Sequence, residues 1–527
     1  MKPPNNIQTS IERDFFLALG LSTIFVIGLC TFLDPIWGDN DDPMFSMIAH
    51  GYGLSIQGSP IFPFYQHPSM LWGYLVRAIP FIDGMPGHSI ALYLSITAVG
   101  AAIIFGIRRQ GFGWPLAIIM VLLILTRPII SPIFTMTAGF LVVGAIVCVW
   151  IYEREPRVGV IVFGCVLTFL GYLLREQMFF FVALIALPLL PWKRLIGDRS
   201  AVVALVVLLM FIGGAKGVQY LSRSGETWQE LDRFQKVSTR LIDFRGIQTL
   251  KTKPELLAKH GISNNDIQLF ERTYFWHDKE STMAIISAGK SLNKNQSFTF
   301  KSDFRQVLLA LTIVGIFVFC FLPSLRVGLA WLILITLSTV LEALGRAPPM
   351  RLIYPVLSLL ILAPLFHVGR FSLFRYKGFK TVFVLGLAFP TILMARTTIN
   401  FSQEKQNEAN IVRVAYAQLP NRGTFAGAGA RYRQIFPVFG IPKNTVERQF
   451  TSLSMPAIRD GIPQLTTNFQ TAFRSPEGAI MFTGFSDEVD FSLMSIFCAE
   501  RFDGGMTTLR KWELPGIDAR QIRCDPF

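Results

Sequence analysis

The chain has 527 residues, of which 51% are hydrophobic and only 16% are charged, and its mean hydropathy is +0.45. A water-soluble protein of this length needs more charge to cover its surface, so the composition excludes an ordinary soluble enzyme and indicates an integral membrane protein. The formal net charge of +14 does not indicate a nucleic acid partner, because the Lys and Arg residues form short clusters between apolar runs, where they act as topology signals.

The first apolar run covers residues 15–33. It approaches the roughly 20 residues that cross a bilayer core, and no small-residue cleavage site follows it. We therefore predict a retained membrane helix and not a secretory signal. A polar loop follows at residues 34–87, and it opens with three acids, Asp39, Asp41 and Asp42.

These three carboxylates repel one another if they lie close together, so at least one should have a raised pKa unless a cation lies among them. Such a group suits a general base, and oxygen ligands also suit Mg²⁺, Mn²⁺ or Ca²⁺. The sequence therefore leaves open whether the protein uses a divalent cation, Mg²⁺ or Mn²⁺, as a cofactor, and it defines no metal-binding residues. Asp42 has a second explanation, because Asp followed by Pro43 is typical of a helix N-cap. That explanation does not apply to Asp41 or Asp39.

Residues 67–82 form a short apolar segment that contains Arg77 and is bounded by prolines. If it crossed the membrane, the basic residues at positions 108 and 109 would lie outside. We therefore predict an interfacial or re-entrant helix within the first outer loop. His67 at its start could be a ligand or an acid-base group, although a lone histidine is more often neither, and we predict that it binds no metal.

Ten further apolar runs predict about eleven transmembrane helices in all. They lie at residues 88–107, 112–126, 133–151, 158–174, 178–191, 200–217, 304–323, 327–345, 352–368 and 380–396. With the N-terminus in the cytoplasm, every cytoplasmic loop carries Lys or Arg, as the positive-inside rule requires. This predicts a transmembrane domain at residues 1–396, with outer loops 34–87 and 218–303, and an extracytoplasmic domain at residues 397–527.

The outward regions contain most of the polar sequence. Residues 227–244 have apolar positions at helical spacing and predict an amphipathic helix. The tail alternates the helix-like "EANIVRVAYAQL" with strand-like runs "GTFAGAG", "AIMFTGF" and "LMSIFCAERF", which predicts a small α/β domain. Cys498 and Cys524 could form a disulfide there if the tail is extracytoplasmic, and the sequence leaves this open.

A second group of charged residues lies in "EALGRAPPMRLIYP", residues 342–355. Glu342 and Arg346 are four apart, a spacing that favours a helical ion pair. Arg351 is left over at the predicted outer end of a span, where an arginine can hold a lipid phosphate.

A third group is Arg175 and Glu176, which interrupt two apolar runs. They could be solvated in a tight outer turn, because arginines at helix ends commonly snorkel. Ionisable residues at membrane depth are also functional candidates. Arg127, which precedes Pro128, is a candidate of the same kind, with less support.

The order of these features resembles the GT-C superfamily of membrane glycosyltransferases, which includes protein O-mannosyltransferases and lipid A aminoarabinose transferases. In "DDPMF", Asp41, Asp42 and Phe45 match the acid pair and the aromatic residue of the family's first outer loop. The sequence "HPS" matches the family's "HPP" at the histidine and first proline but departs at Ser69. In "RLIYP", Arg351 matches the family's arginine, whereas the tyrosine is displaced.

The resemblance implies a GT-C-like fold and sugar transfer at the outer membrane face, from a polyprenyl-phosphate-linked donor to a glycan, lipid or protein acceptor. It implies that Asp41 is the base, that Asp42 is its helper or a cap, and that Arg351 holds the donor phosphate. Arg346 and Arg175 are weaker phosphate candidates from their placement alone. The expected location is a bacterial inner membrane, with membrane lipids as neighbours, the N-terminus in the cytoplasm and the C-terminus outside.

Three alternatives are open. A transporter or flippase of a lipid-linked or anionic substrate would use the acids as a proton or cation site, but the ionisable residues gather at outer ends and no paired broken helices occur in matching halves. An O-antigen ligase or polymerase would be expected to centre its chemistry on one large late loop. A non-enzymatic assembly protein could use the tail as a binding domain.

Overall fold

The computed structural model describes residues 5–39, 41–50, 69–82, 84–224, 229, 241, 246–271, 305–343, 348–367, 377–427, 432–441, 448–452, 469–484 and 488–527. A bundle of apolar helices is followed by a C-terminal unit with a five-stranded sheet. The predicted fold class, an α-helical multi-pass membrane protein with a small C-terminal α/β domain, is confirmed.

The helices of the first part are α1 (Asn5–Leu33), α2 (Asp41–Ala49), α3 (Met70–Ala78), α4 (Gly87–Arg109), α5 (Trp114–Ile130), α6 (Phe134–Arg154), α7 (Val158–Leu174), α8 (Glu176–Ala186), α9 (Trp192–Gly197) and α10 (Arg199–Ser222). They are followed by α11 (Gly246–Lys251), α12 (Pro254–Lys259), α13 (Asn264–Glu271), α14 (Arg305–Phe321), α15 (Leu325–Ala343), α16 (Met350–His367) and α17 (Lys377–Ala417). A single 3₁₀ turn, Leu187–Leu189, extends α8.

Seven helices in the described ranges are long and apolar enough to cross a membrane, namely α1, α4, α6, α10, α15, α16 and α17. Four shorter apolar helices, α5, α7, α8 and α14, occupy the other predicted runs. Each predicted apolar run therefore coincides with a helix. The predicted interfacial helix is α3, whose nine residues are too few to span a bilayer core.

Helices α4, α6 and α16 form the centre of the bundle, whereas α1, α10 and α15 expose most of their apolar side chains. The central helices pack closely because small residues lie at their contacts. A Cβ added at Gly139 of α6 would come within 2.5 Å of Met178 Cε and 2.8 Å of Pro355 Cβ. Only glycine allows α16 to approach α6 this closely without a shift.

The two ends of the bundle carry different groups of charged residues. At the end predicted to be cytoplasmic, Arg109 forms ion pairs with Glu155 and, at 3.6 Å, with Asp14. Arg154 of α6 donates a hydrogen bond to the Phe366 carbonyl of α16 at 3.4 Å. The three acids of the first loop lie at the opposite end, after α1 and before α6. Which end faces the cytoplasm remains a prediction from the basic residues.

Helix α17 is 41 residues long and continues without a break from the last apolar run into the C-terminal domain. The predicted domain boundary at residues 396 and 397 lies inside this helix. The C-terminal elements are β1 (Gly423–Gly427), α18 (Tyr432–Ile435), β2 (Arg448–Ser452), α19 (Phe469–Arg474), β3 (Ala479–Gly484), α20 (Glu488–Phe502), β4 (Gly504–Leu514) and β5 (Ile517–Pro526). The sheet order is β2-β1-β3-β5-β4, with β1 parallel to β2 and β3, and β5 antiparallel to β3 and β4.

The first two strand-like runs of the tail are β1 and β3, but the third prediction was wrong, because "LMSIFCAERF" belongs to α20. Phe491, Met494, Phe497 and Cys498 are buried together in the domain core, and their spacing is that of one helix face. A disulfide joins Cys498 of α20 to Cys524 of β5. It links α20 to β5, and the two cysteines are 26 residues apart in the chain, with β4 between them.

Residues 246–271, which belong to the predicted middle outer loop, pack against the C-terminal domain. Asp266 at the start of α13 forms an ion pair with Arg501 at 2.6 Å. Its neighbour Asn265 donates a hydrogen bond from Nδ2 to the Leu493 carbonyl of α20 at 3.2 Å. The predicted amphipathic helix at residues 227–244 lies outside the described residues except for positions 229 and 241.

Candidate active site

The loop that carries the acids is fixed to the connection between α5 and α6. The Ile36 N–H donates to the Ile130 carbonyl, and the Gly38 N–H donates to the Pro132 carbonyl, each at 3.0 Å. A Cβ added at Gly38 would lie 2.5 Å from Ile133 Cγ1, so the loop passes too close to this connection for any larger residue. The first loop is thereby held beside the N-terminus of α6.

Asp42 caps α6. Its side chain is fully buried, and its Oδ1 accepts the backbone N–H of Phe134, the first residue of α6, at 2.7 Å. Helix α2 begins at Asp41, so Asp42 lies inside the first turn of its own helix and caps a helix 92 residues later in the chain. The Asp-Pro pattern thus indicated capping but pointed to the wrong helix. An anion here also interacts favourably with the α6 dipole.

Burial and the nearby Asp39 carboxylate raise the pKa of Asp42 well above its usual range. The Phe134 N–H and the charges of Arg351 and Arg175 act in the opposite direction without outweighing burial. Asp42 therefore favours its neutral form. A neutral carboxyl still accepts the Phe134 N–H, so this state is compatible with the cap.

His88 lies next to Asp42. It was not among the candidate residues predicted from the sequence. Its Nε2 is 3.9 Å from Asp42 Oδ1, and both side chains are buried. The Trp72 indole N–H donates to His88 Nδ1 at 3.3 Å. Because Nδ1 accepts, a neutral ring carries its proton on Nε2, which faces Asp42. The histidine stands at the start of an apolar run, and nothing in the linear sequence connects it with the first loop.

Asp41 is the first residue of α2 and is half-buried. Burial and the carboxylates of Asp39 and Asp42 raise its pKa, whereas Arg351 and Arg175 lower it, and the net result is a pKa of about 7. A carboxyl with a pKa near neutrality can both take and release a proton under working conditions, which is the property that a general base needs.

This pKa predicts a pH dependence that can be measured without an enzymatic assay. A hydrophobic carbodiimide reacts with protonated carboxyls, so we expect modification of Asp41 below about pH 7 and its loss as the pH rises through that value. Asp42 is fully buried, so we expect little modification of it at any pH. Fragment mass spectrometry of the labelled peptide separates the two adjacent acids, and Asp41→Asn serves as the identity control. A midpoint for Asp41 below about pH 5 would contradict the raised pKa.

Arg351 and Asp39 form an ion pair across the site. Arg351 is the second residue of α16, and Asp39 ends the loop after α1, so the pair links segments 312 residues apart. Both line a cavity of about 360 Å³. Asp41 is not among the residues that line this cavity, although its pKa is affected by both members of the pair.

Three further cations line the same cavity: Arg127, Lys405 and Arg433. The guanidinium of the buried Arg127 lies 4.0 Å from the Phe401 ring centre, and Lys405 follows one turn later on α17. Lys405 also forms an ion pair with Glu408 at 2.8 Å. Sequence reasoning missed Lys405 and Arg433, because both lie in the tail, far from the motifs. Apolar side chains fill much of the remaining wall, among them Ile130, Ile133, Met136 and Leu308.

Arg175 lies close to the acids without lining the cavity. Its Nη1 donates to Thr135 Oγ1 at 3.1 Å, and its guanidinium lies 5.4 Å from the Phe134 ring centre. The neighbouring Glu176 instead forms an ion pair with Lys216 of α10. The two adjacent charges are therefore used in different contacts, with only Arg175 placed toward the acids.

Of the remaining predicted residues, Glu342 is exposed near the end of α15. Arg346 and His67 lie outside the described residues. Tyr354 is buried and donates its hydroxyl to the Leu123 carbonyl at 3.3 Å, so it holds α16 against α5. Among the residues that the structure describes, no three His, Cys, Asp or Glu side chains converge as a metal site.

No protein-family model matches the chain, and no curated protein matches it. Among solved structures, the chain is similar to ArnT from Cupriavidus metallidurans in the apo state, at 12% identity and a TM-score of 0.41 over 96% of this chain and 97% of that one. It is also similar to ArnT from the same organism bound to undecaprenyl phosphate, at 12% identity and a TM-score of 0.40 over the same shares of the two chains.

Proposed function

We propose that this protein is a membrane glycosyltransferase that moves a sugar from a polyprenyl-phosphate-linked donor to an acceptor hydroxyl at the outer face of the membrane. One observation carries the proposal. A cavity lined by three arginines and a lysine lies beside Asp41, a half-buried acid whose pKa is about 7, at the end of the bundle opposite the basic loops.

The cavity suits a lipid phosphate. Arg351 and Arg127 offer planar guanidinium groups, which bind phosphate oxygens through paired hydrogen bonds, and Lys405 adds a point charge. The apolar wall, which includes Leu308 at the start of α14 and Met350 at the start of α16, suits the first isoprenoid units. A charged headgroup next to an apolar chain matches a lining of this kind.

The proposed reaction uses Asp41 as the base. Its carboxylate takes the proton of the acceptor hydroxyl while that oxygen forms a bond to the anomeric carbon of the sugar. The bond between the anomeric carbon and the phosphate oxygen breaks, and the lipid phosphate leaves with the electron pair. Arg351 and Arg127 stabilise the charge that develops on the departing phosphate. Asp42 keeps the start of α2 in place through its hydrogen bond to Phe134.

A divalent cation could bind the carboxylate oxygens of Asp39 and Asp41, and this remains a proposal. Asp39 is already paired with Arg351, so the positive charge at the acids comes from arginine among the described residues. The proton transfer proposed for Asp41 does not require a metal ion.

The proposed orientation places the cavity and the C-terminal domain outside the cytoplasm. The basic loops at the opposite end support this orientation through the positive-inside rule. The Cys498–Cys524 disulfide supports it independently, because structural disulfides persist in oxidising compartments. The cavity lies at helix ends, between the end of α5 and the starts of α14 and α16. This position favours transfer at the membrane surface over the midplane site of a transporter.

Binding of undecaprenyl phosphate, the lipid bound in one of the similar structures, tests the proposal directly. Native mass spectrometry of the full chain in nanodiscs should show retention of this lipid in preference to phosphatidylglycerol of equal abundance. Arg351→Gln should reduce the retained fraction, and Arg326→Gln, at the opposite end of the bundle, should not. Equal retention of both lipids by the wild-type protein would contradict a polyprenyl phosphate site.

A further inference from the structure

One wall of the cavity comes from the C-terminal domain. We define residues 432–441, which contain α18 and the residues after it, as the tail segment. Its Arg433 is half-buried and its Gln434 is buried, and both line the cavity together with Asp39 and Arg351. The site is therefore built by both domains, although the sequence motifs lie only in the first.

The tail segment is anchored in the helical bundle by its backbone. Trp37, just before the acids, donates its indole N–H to the Pro437 carbonyl at 3.3 Å. Ser89 of α4 donates its hydroxyl to the Val438 carbonyl at 2.6 Å, and Val438 is buried in the main core. The ring of Phe439 lies 4.9 Å from that of Tyr93. These contacts hold the segment in one position against the bundle.

Gln434 is also held by hydrogen bonds to residues of α17. Its side-chain Nε2 donates to Glu408 at 3.0 Å, and its backbone carbonyl accepts a hydrogen bond from Arg413 Nε at 3.0 Å. Both partners belong to α17, the helix that also carries Lys405. Gln434 is therefore held in place before any ligand enters, which lowers the entropic cost of binding.

The tail segment lies on the acid side of the cavity, because α18 packs against α2, the helix that begins with Asp41. In the proposed reaction, the base must reach a hydroxyl that attacks the anomeric carbon. The sugar must therefore lie on the acid side, with the phosphate toward Arg351 and the lipid chain toward α14 and α16. An arginine and an amide together offer many hydrogen-bond donors, which suit sugar hydroxyls or a sugar carboxylate.

We propose that the tail segment is the sugar-recognition wall of this site, with Arg433 and Gln434 contacting the monosaccharide carried by the lipid phosphate. The inference rests on the proposed function and assigns the choice of donor sugar to the C-terminal domain. The cavity volume of about 360 Å³ is at the lower end of the range for small-molecule sites, about 300–1,000 Å³. We therefore expect the bound donor to carry one monosaccharide.

The test compares plain and glycosylated lipids on the full-length protein in nanodiscs. The probes are undecaprenyl phosphate and undecaprenyl phosphate carrying glucose, mannose or aminoarabinose, and the readout is the equilibrium dissociation constant. At least one glycosylated lipid should bind the wild type about tenfold more tightly than the plain lipid, which is the gain expected from one or two added hydrogen bonds. Arg433→Gln should remove most of that gain and leave affinity for the plain lipid within about threefold.

Two further variants make the result specific. Arg433→Lys keeps the charge but lacks the planar guanidinium, so it should recover only part of the sugar preference. Arg422→Gln changes an exposed arginine of the same domain and should leave all affinities unchanged. Thermal melting of each variant checks that the protein is folded.

The outcomes separate the two proposals. If none of the four lipids binds, the proposed function fails. If undecaprenyl phosphate binds but no sugar improves binding, or if Arg433→Gln keeps the preference, only the sugar-recognition wall is overturned. An equal loss of plain and glycosylated lipids in Arg433→Gln would also overturn it, because Arg433 would then hold the phosphate and not the sugar.

Discussion

Replacing Asp41 with Asn is expected to lower sugar transfer about 10²- to 10⁴-fold while the protein stays folded. Asn has nearly the same shape as Asp, so the first turn of α2 should be preserved. It cannot accept the acceptor's proton at neutral pH, so the rate should fall through kcat more than through KM. The measurement is transfer of labelled sugar from the lipid donor in proteoliposomes.

Asp42→Asn is the matched comparison, because the two acids are adjacent and differ in the role that we propose. The Asn amide oxygen can still accept the Phe134 N–H, and Asp42 favours its neutral form in any case, so the loss of activity should be far smaller than for Asp41→Asn. Asp42→Leu should instead destabilise the protein by about 0.5–2 kcal/mol through loss of the α6 cap. Full activity of Asp41→Asn, or equal losses in the two Asn variants, would remove Asp41 from the role of base.

The pH dependence of transfer should follow Asp41. Because its pKa is raised to about 7, the carboxylate is scarce below that pH and abundant above it, so activity should rise as the pH increases through about 7. The rise in activity and the loss of carbodiimide modification should then have the same midpoint. Two different midpoints would mean that another group controls the rate.

Hydropathy alone located the apolar helices, because a bilayer sets both their length and their composition. The proline-bounded segment with Arg77 was correctly predicted to form a short helix, since the positions of the basic loops left no room for another crossing. The tail was harder, because its strands are short and its helices are amphipathic. The run around Cys498 has the apolar spacing of a helix, and reading it as a strand ignored that period.

The β4–β5 hairpin was also missed, although the sequence carries a signal for it. Pro515 and Gly516 separate two runs, and Gly516 has a φ of +76°, a conformation that favours glycine. The two strands carry charged residues between their apolar ones, so the alternation typical of a strand is incomplete. Their pairing depends on the Cys524 side chain and the core beneath β5, which no local pattern reveals.

The site could be predicted only in part, because its members come from distant segments. Asp39, Asp41 and Arg351 were singled out as unexplained charges at helix ends. The cations Lys405 and Arg433, by contrast, lie in a region that looked like an ordinary polar domain. Their approach to Asp39 depends on the length of α17 and on the insertion of the tail segment against Trp37. The contact between Trp37 and Pro437 joins residues 400 apart, and the spacing of residues in the sequence does not indicate such a contact.

The Asp39–Arg351 pair leads to the second large expected effect. In the structure Arg351 is bound by Asp39, so a lipid phosphate that enters the cavity must share or replace that contact. Arg351→Gln removes the guanidinium proposed to bind the phosphate, and it also removes the positive charge between the phosphate and the Asp39 carboxylate. Binding of undecaprenyl phosphate should therefore weaken about 10- to 100-fold, the range expected for a charge-assisted hydrogen bond.

A double-mutant cycle shows whether Asp39 competes with the lipid phosphate for Arg351 or holds Arg351 in position to bind it. If Asp39 competes with the phosphate for Arg351, Asp39→Asn should bind undecaprenyl phosphate as tightly as the wild type or a few fold more tightly, roughly a gain of 0.5–1 kcal/mol. The double variant should then bind better than Arg351→Gln alone, because the repelling carboxylate is gone. If Asp39→Asn instead weakens binding as much as Arg351→Gln, and the double variant is no worse than either, Asp39 acts by holding Arg351 in place. The competition would then be excluded, and the Asp39–Arg351 contact would be part of the phosphate site itself.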